Sequence, residues 1–225
     1  GGFAEYVAVS ESSLVPVPAT LDLTGAALFA CPMGVALQAT QQVAEIRPGE
    51  TVVVTGASGG LGVHSLQIAV ALQGRVLAVT TSEEKLGQFA TLGAEEILHT
   101  DDLDFSELVL ALTEDEGADV VIDTVGSALF PSTWRSLAQY GRLVLLGEVA
   151  GGPVELNLAE IIFRDARVLG SSGVSRPLVE QVAGMVAEGR LKPVVSRILP
   201  LEQAGTAFDL LSSRSVLGRL VLISR

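Results

Sequence analysis

The residues best suited to chemistry lie in one short run. Gly56-Ala57-Ser58-Gly59-Gly60-Leu61-Gly62 follows the β-branched stretch Thr51-Val52-Val53-Val54-Thr55 and precedes an amphipathic stretch of helical length. Glycine at a strand-to-helix turn lets the backbone approach a diphosphate closely, because no Cβ stands in the way. Glycine at position 62 lets the new helix sit tight on the sheet. The helix N-terminus then presents unpaired N–H groups to phosphate oxygens. Ala57 stands where the usual G-x-G-x-x-G fingerprint has its first glycine, so the run reads A-x-G-G-x-G. In this strand–turn–helix context, Ala57, Ser58, Gly59, Gly60, Leu61 and Gly62 form a candidate pyrophosphate site, preferred to a purely structural turn.

A pyrophosphate held there would belong to a dinucleotide, whose adenosine ribose lies at the end of the next strand. A carboxylate at that point would bind the ribose 2′-hydroxyl of NAD and repel a 2′-phosphate. Here the position is Thr80, followed by Thr81, Ser82 and, slightly further on, Lys85. Hydroxyl donors and an ammonium suit a phosphate dianion, so NADP(H) is preferred to NAD(H). Glu83 and Glu84 weigh against the preference. Ser82 would also serve as a helix N-cap with Lys85 on a solvated first turn, and the two readings are compatible.

The other chemistry-bearing residues are few: one cysteine, two histidines and a strand-end aspartate. A catalytic zinc takes three ligands from protein. His64 falls inside the helix after the glycine-rich turn and His99 ends a short strand, so neither suits a metal site with Cys31. Asp123 ends an apolar run, where an aspartate is more often a hydrogen-bonded structural residue than a general acid. No catalytic residue is assigned.

The elements that must position these residues alternate in texture. Residues 51–55, 75–80, 119–123, 141–146 and 167–170 are short, continuous apolar runs, the pattern of parallel strands covered on both faces. Amphipathic stretches at 60–72, 82–92, 105–112 and 127–139 separate them. No Asn-Gly or Asp-Gly hairpin signal interrupts the series. The fold class is α/β, a doubly wound parallel-sheet Rossmann domain. On the flanks, 3–9 reads as an exposed-face strand, 14–18 as extended, and 22–46 as mainly helical with a break near Pro32. Beyond the sheet, 177–188 reads as a helix ending at Gly189, 194–199 as a strand, 201–211 as a helix and 218–223 as a strand.

A net charge of −12 argues against nucleic acid and anionic membrane as partners. With a single cysteine no intrachain disulfide forms, and a cytoplasmic location is expected. Gly1-Gly2-Phe3-Ala4-Glu5-Tyr6 lacks the basic start and apolar run of a signal peptide.

Several segments carry a family resemblance: Gly2-Phe3-Ala4-Glu5-Tyr6-Val7, the turn itself, Val121-Ile122-Asp123-Thr124-Val125-Gly126-Ser127, and Gly141-Arg142-Leu143-Val144-Leu145-Leu146-Gly147-Glu148. Gly189-Arg190-Leu191-Lys192-Pro193-Val194 and Gly218-Arg219-Leu220-Val221-Leu222 extend it. Together they resemble the zinc-type alcohol dehydrogenases of the medium-chain dehydrogenase/reductase superfamily, most of all the branch with acryloyl-CoA reductases, then quinone oxidoreductases. The resemblance implies that most of an N-terminal GroES-like catalytic domain is absent. It divides the chain into a catalytic-domain remnant (1–22), a dinucleotide-binding Rossmann domain (23–188) and a C-terminal return to the catalytic domain (189–225). It makes Thr124, Val125 and Gly126 the nicotinamide-side loop, with Leu146, Gly147 and Ser171 at neighbouring strand ends. Cys31 would be a late zinc ligand in an intact protein, or else a small buried apolar residue. Edge pairing through Arg167–Gly170 would make a homodimer. The implied activity is hydride transfer between NADP(H) and a small carbonyl, alcohol or activated enoyl substrate. The competing expectation is a catalytically incomplete nucleotide-binding module, or one half of a split dehydrogenase.

Overall fold

A computed structural model describes residues 2–224; Gly1 and Arg225 lie outside the described residues. The chain first forms two short helices, α1 (Leu23–Ala26) and α2 (Val35–Leu37), the second flanked by wider π-type turns at Phe29–Gly34 and Gln38–Val43. It then alternates: β1 (Thr51–Val54), α3 (Gly62–Ala71), β2 (Arg75–Thr80), α4 (Leu86–Phe89), β3 (Glu96–His99), α5 (Ser106–Leu112), β4 (Ala118–Asp123), α6 (Phe130–Arg135), β5 (Leu137–Leu145), α7 (Leu158–Arg164) and β6 (Arg167–Gly170). These six strands form one sheet in the order β3-β2-β1-β4-β5-β6, and every pairing is parallel. Helix α8 (Arg176–Ala187) leads to a second, two-stranded parallel sheet of β7 (Val195–Pro200) and β8 (Arg219–Ile223), with α9 (Ala204–Ser212) between them.

The continuous apolar runs follow from burial on both faces. Val52 and Val54 pack on one side with Leu66, Ala78 and Ile122, while Val53 packs on the other with Leu77, Val79 and Val121. Successive strand residues point to opposite faces, so a strand with helices on both sides needs apolar residues at every position. A third cluster joins α8 to α3 and the Phe29–Gly34 turn through Met33, Ile68, Leu178 and Val182. The strand order reverses between β1 and β4, and in open parallel sheets this switch point, at the carboxyl ends of the strands, is where ligands bind.

Several expectations need correction. Residues 3–9 form no strand: they have no ladder partner among the described residues, and Tyr6 is 89% exposed. The stretch 82–92 is not one helix but a 3-10 turn (Glu83–Lys85), the short α4 and a second 3-10 turn (Ala90–Leu92). The helix expected to reach 139 stops at Arg135. Tyr140 turns through φ 63°, and β5 starts early, with a register shift opposite Ala118 and Val120. Helix α7 was not anticipated, although Asn157 caps it by accepting from Ala159 N and Glu160 follows three residues later. The break near Pro32 is present: Cys31, just before it, has φ −112° and ψ 73°, as the proline ring disfavours helical geometry in its predecessor.

Candidate functional site

The glycine-rich turn leaves β1 at the switch point. Thr55 N donates to Ile122 O (3.1 Å) and Ala57 N to Val79 O (3.0 Å), so the turn is anchored to strands on both sides. Ala57 is fully buried and its methyl belongs to the core, whereas Gly59 is exposed. Gly62 cannot be replaced without cost. A Cβ there would collide with Gly56 O and lie 2.8 Å from Ala57 Cα, all of it backbone. The amides of Gly60, Leu61 and Gly62 donate to no protein acceptor among the described residues.

One residue at this turn was missed in the sequence. A Cβ on Gly60 would strike the Arg219 side chain, 2.7 Å from its Cζ, so the guanidinium lies against the turn. Arg219 Nε is buried without a hydrogen-bond partner among the described residues. Gly218 N donates to Ser58 O (3.0 Å), which docks the start of β8 on the turn. Only tertiary contact, 159 residues along the chain, brings this arginine here, and no local signal announces it.

His64 is buried one turn into α3. Its Nδ1 lies 2.6 Å from Gly60 O, and its Nε2 accepts from Val194 N (3.1 Å). Burial pushes its pKa down to about 4; the Gly60 carbonyl opposes that shift and the nearby Arg219 charge adds to it.

At the end of β2, Thr80 is buried and its Oγ1 accepts from Ser82 N (3.1 Å). Thr81 is exposed and Ser82 half-buried. Ser82 occupies the position before the turn but makes no side-chain cap. Lys85 is not on a solvated turn. It is buried, and its Nζ donates to Arg214 O (2.6 Å) and Val216 O (3.0 Å) in the segment before β8. Desolvation lowers its pKa, partly opposed by Glu84.

The loop after β4 is held by Asp123. Its Oδ1 accepts from Thr55 Oγ1 (2.6 Å), Val125 N (2.9 Å) and Gly126 N (3.0 Å), and the residue is fully buried. Thr124 N donates to Thr55 Oγ1 (3.1 Å), and Thr124 Oγ1 donates to Thr55 O (2.8 Å). Asp123 thus organises the backbone between the two loops, as the structural reading expects. The neighbouring loop joins it through Leu146 N to Asp123 O (2.8 Å) and Val149 N to Val125 O (2.9 Å). Glu148 accepts from Ser127 Oγ, Ser127 N, Ala150 N and Gly151 N, and these bonds, Ser127 first, hold its carboxyl below the usual range. Ser171 is buried beyond β6, with its N donating to Leu145 O (3.0 Å).

Thus Ala57–Gly62, Thr80–Ser82, Thr124–Gly126, Leu146–Gly147 and Ser171 all follow the carboxyl ends of strands in one parallel sheet and share one edge. Cys31 is exposed on the kink between α1 and α2, not buried. Among the described residues no three His, Cys, Asp or Glu side chains converge on a metal position. His99 lies beside Asp101 (3.6 Å) at the end of β3. No helix is long and apolar enough to cross a membrane among the described residues. A hollow of about 470 Å³ lies at the opposite edge of the sheet, lined by Thr51, Arg75, Glu114, Glu116 and Asp119. Its arginine is already bonded to Glu95 and Leu112 O.

A family model described as zinc-binding dehydrogenase matches residues 60–188, more than half of the chain. The chain belongs to this family. The chain is 35% identical over 223 residues to acryloyl-coenzyme A reductase of Metallosphaera sedula, covering 99% of this chain and 65% of that protein. It is 30% identical to quinone oxidoreductase of Rattus norvegicus, covering 99% of this chain and 69% of the relative. The crystal structure of an NAD-dependent alcohol dehydrogenase superposes with a TM-score of 0.91 at 36% identity, over 99% of this chain and 65% of that one. The chain therefore spans about 65% of the length of the curated acryloyl-coenzyme A reductase it matches.

Proposed function

We propose that this dehydrogenase chain binds NADP(H) along the carboxyl edge of its six-stranded sheet and is the cofactor-binding portion of an oxidoreductase. The observation that carries the reading is the turn at 57–62, with unpaired amides and the Arg219 guanidinium converging on one spot. A diphosphate satisfies both: it accepts from the amides at the helix N-terminus and neutralises the cation. The nicotinamide cofactor supplies the hydride chemistry when bound. Asp123 and Thr55 hold the loop at Thr124, Val125 and Gly126 that would face the nicotinamide, with Leu146, Gly147 and Ser171 beside it.

The preference for NADP(H) rests on Thr80 in place of a strand-end carboxylate, with Thr81 and Ser82 as hydroxyl donors. Lys85 contributes its charge, while its hydrogen bonds hold the Arg214 carbonyl near the end of β2. Arg214 is exposed, and we assign it the 2′-phosphate contact that sequence reasoning gave to Lys85. By similarity to the relatives, the substrate is a small carbonyl or alcohol, or an activated enoyl compound such as an acryloyl thioester. A lone thiolate does not hold zinc, so no zinc-dependent step is derived for Cys31. Zinc binding would need ligands from beyond the described residues.

The homodimer belongs to the same reading. The free edge of β6 exposes Val168, and α7, which precedes it in the chain and packs on β5, exposes Leu158, Ile162 and Phe163, apolar surface that a partner pairing through Arg167–Gly170 would help to cover. A cytoplasmic setting fits a single, exposed cysteine. The alternative is a catalytically incomplete nucleotide-binding module, or one half of a split dehydrogenase. Separate titrations of NADPH and NADH, followed by nicotinamide fluorescence, test the cofactor. Tighter NADPH binding supports the reading, and equal affinity removes the roles of Thr80–Ser82 and Arg214. Turnover with an acryloyl thioester or a simple aldehyde would eliminate the module.

A further inference from the structure

The buried histidine of α3 has no place in the fold's usual account of a phosphate turn, yet it touches both parts of the candidate site. Gly60 O can only accept, so His64 Nδ1 carries the hydrogen. Val194 N can only donate, so Nε2 is bare. The two partners define one neutral tautomer, and a second proton would set N–H against N–H. Arg219 on β8 is the charged group facing the ring, and α3 contributes no other titratable side chain.

The peptide after Gly60 is trans, so its carbonyl and the Leu61 N–H point in opposite directions. The bond from Nδ1 to Gly60 O therefore fixes the plane of that peptide, and with it the direction of the Leu61 N–H. One helical turn on, Gln67 repeats the grip: Nε2 donates to Lys192 O and Oε1 accepts from Lys192 N, both at 3.0 Å. His64 and Gln67, three apart on one helix face, therefore hold residues 192–194. Arg219 N donates to Val194 O (3.0 Å), so the same segment carries the arginine to the turn.

We propose that His64 is a positioning residue for dinucleotide binding: through the Nδ1 bond to Gly60 O its ring aims the Leu61 amide toward the carboxyl edge of the sheet, while Gln67 keeps its own hold on the segment that brings Arg219 to the turn. The inference rests on the proposed dinucleotide reading. It separates the two ring nitrogens, because asparagine reproduces a donor at the Nδ1 position and glutamine an acceptor at the Nε2 position. The test compares H64N and H64Q with the unaltered chain, using calorimetric affinities for NADPH, ADP-ribose and 2′-AMP. H64N should stay within about twofold for all three, and H64Q should lose about tenfold for NADPH and ADP-ribose, the scale of one charge-assisted hydrogen bond. Binding of 2′-AMP, which lacks the bridging diphosphate, should not change in either variant. If both folded variants lose thermal stability yet keep every affinity, the residue is merely structural and the inference falls. Parallel loss of 2′-AMP binding would overturn it too. Imidazole ¹⁵N spectra of the unaltered chain need no variant: a protonated Nδ1 supports the proposal and a protonated Nε2 refutes it. If the unaltered chain binds neither NADPH nor ADP-ribose, the proposed function itself fails. If it binds both and folded H64Q does so equally well, the function stands and the role of His64 does not.

Discussion

Replacing Gly60 and Gly62 separately by alanine should give two different failures. A methyl at position 62 meets Gly56 O, Gly56 C at 2.7 Å and Ala57 Cα at 2.8 Å. These are backbone atoms fixed by the bonds of the turn to β2 and β4, so α3 must move off the sheet. Overpacking of this kind costs about 1–3 kcal/mol, and for a chain of this size about 2–4 °C of melting temperature per kcal/mol. G62A should therefore melt roughly 2–12 °C lower. The atoms nearest a methyl at position 60 are those of the Arg219 side chain, not backbone. A flexible side chain can swing aside, so G60A should melt within about 2 °C of the unaltered protein. It should instead lose the guanidinium from the turn. A hydrogen bond to a charged group is worth about 1.5–3 kcal/mol, so NADPH affinity should fall by about tenfold or more. R219A should show the same loss, and the double variant should lose little beyond either single one, because both remove one interaction. Circular dichroism melts and fluorescence titrations suffice. If G60A binds NADPH normally, or if the two losses add, Arg219 is not a diphosphate ligand.

Burial holds His64 from its ordinary 6.5 to about 4, so the unfolded chain takes up the proton first as pH falls. The stabilisation from the neutral ring is complete above pH 6.5 and is lost between about 6.5 and 4, up to about 3 kcal/mol. Urea midpoints over that range should fall in the unaltered chain and fall less in H64N. Lys85→Met would leave the Arg214 and Val216 carbonyls without their ammonium; a loss of about 2 kcal/mol, or about 6 °C, is expected, with proteolysis in 213–217 as a second readout. Light scattering should give twice 23.3 kDa for the unaltered chain and the monomer mass for F163D combined with V168K, since Phe163 is 79% exposed and its replacement costs the fold little. A monomer at the outset would refute edge pairing through β6.

Much of the sheet was legible because its central strands are covered on both faces. Arg75–Thr80 falls where its apolar run places it, and burial on two faces leaves a strand little choice of residue. The glycine-rich turn was legible because its requirement is local: Gly62 is glycine since the backbone of Gly56 and Ala57 occupies the space. Elements lacking such a constraint were misread. Residues 3–9 alternate like a strand but have no partner, and alternation alone does not make a ladder. Helix α7 was hidden by its outward-facing Leu158, Ile162 and Phe163, which blur the usual buried stripe. The site residues supplied from a distance were the least visible. Arg219 reaches the turn, and Lys85 reaches Arg214 and Val216, through the docking of β8 and the segment before it.

A crystal structure of the chain with NADPH tests the central claim most directly. The diphosphate oxygens should lie within about 3.2 Å of the Gly60, Leu61 and Gly62 amides, with the Arg219 guanidinium on the same group. Dinucleotide density at any other edge of the sheet, or a diphosphate beyond reach of those amides, would contradict the account.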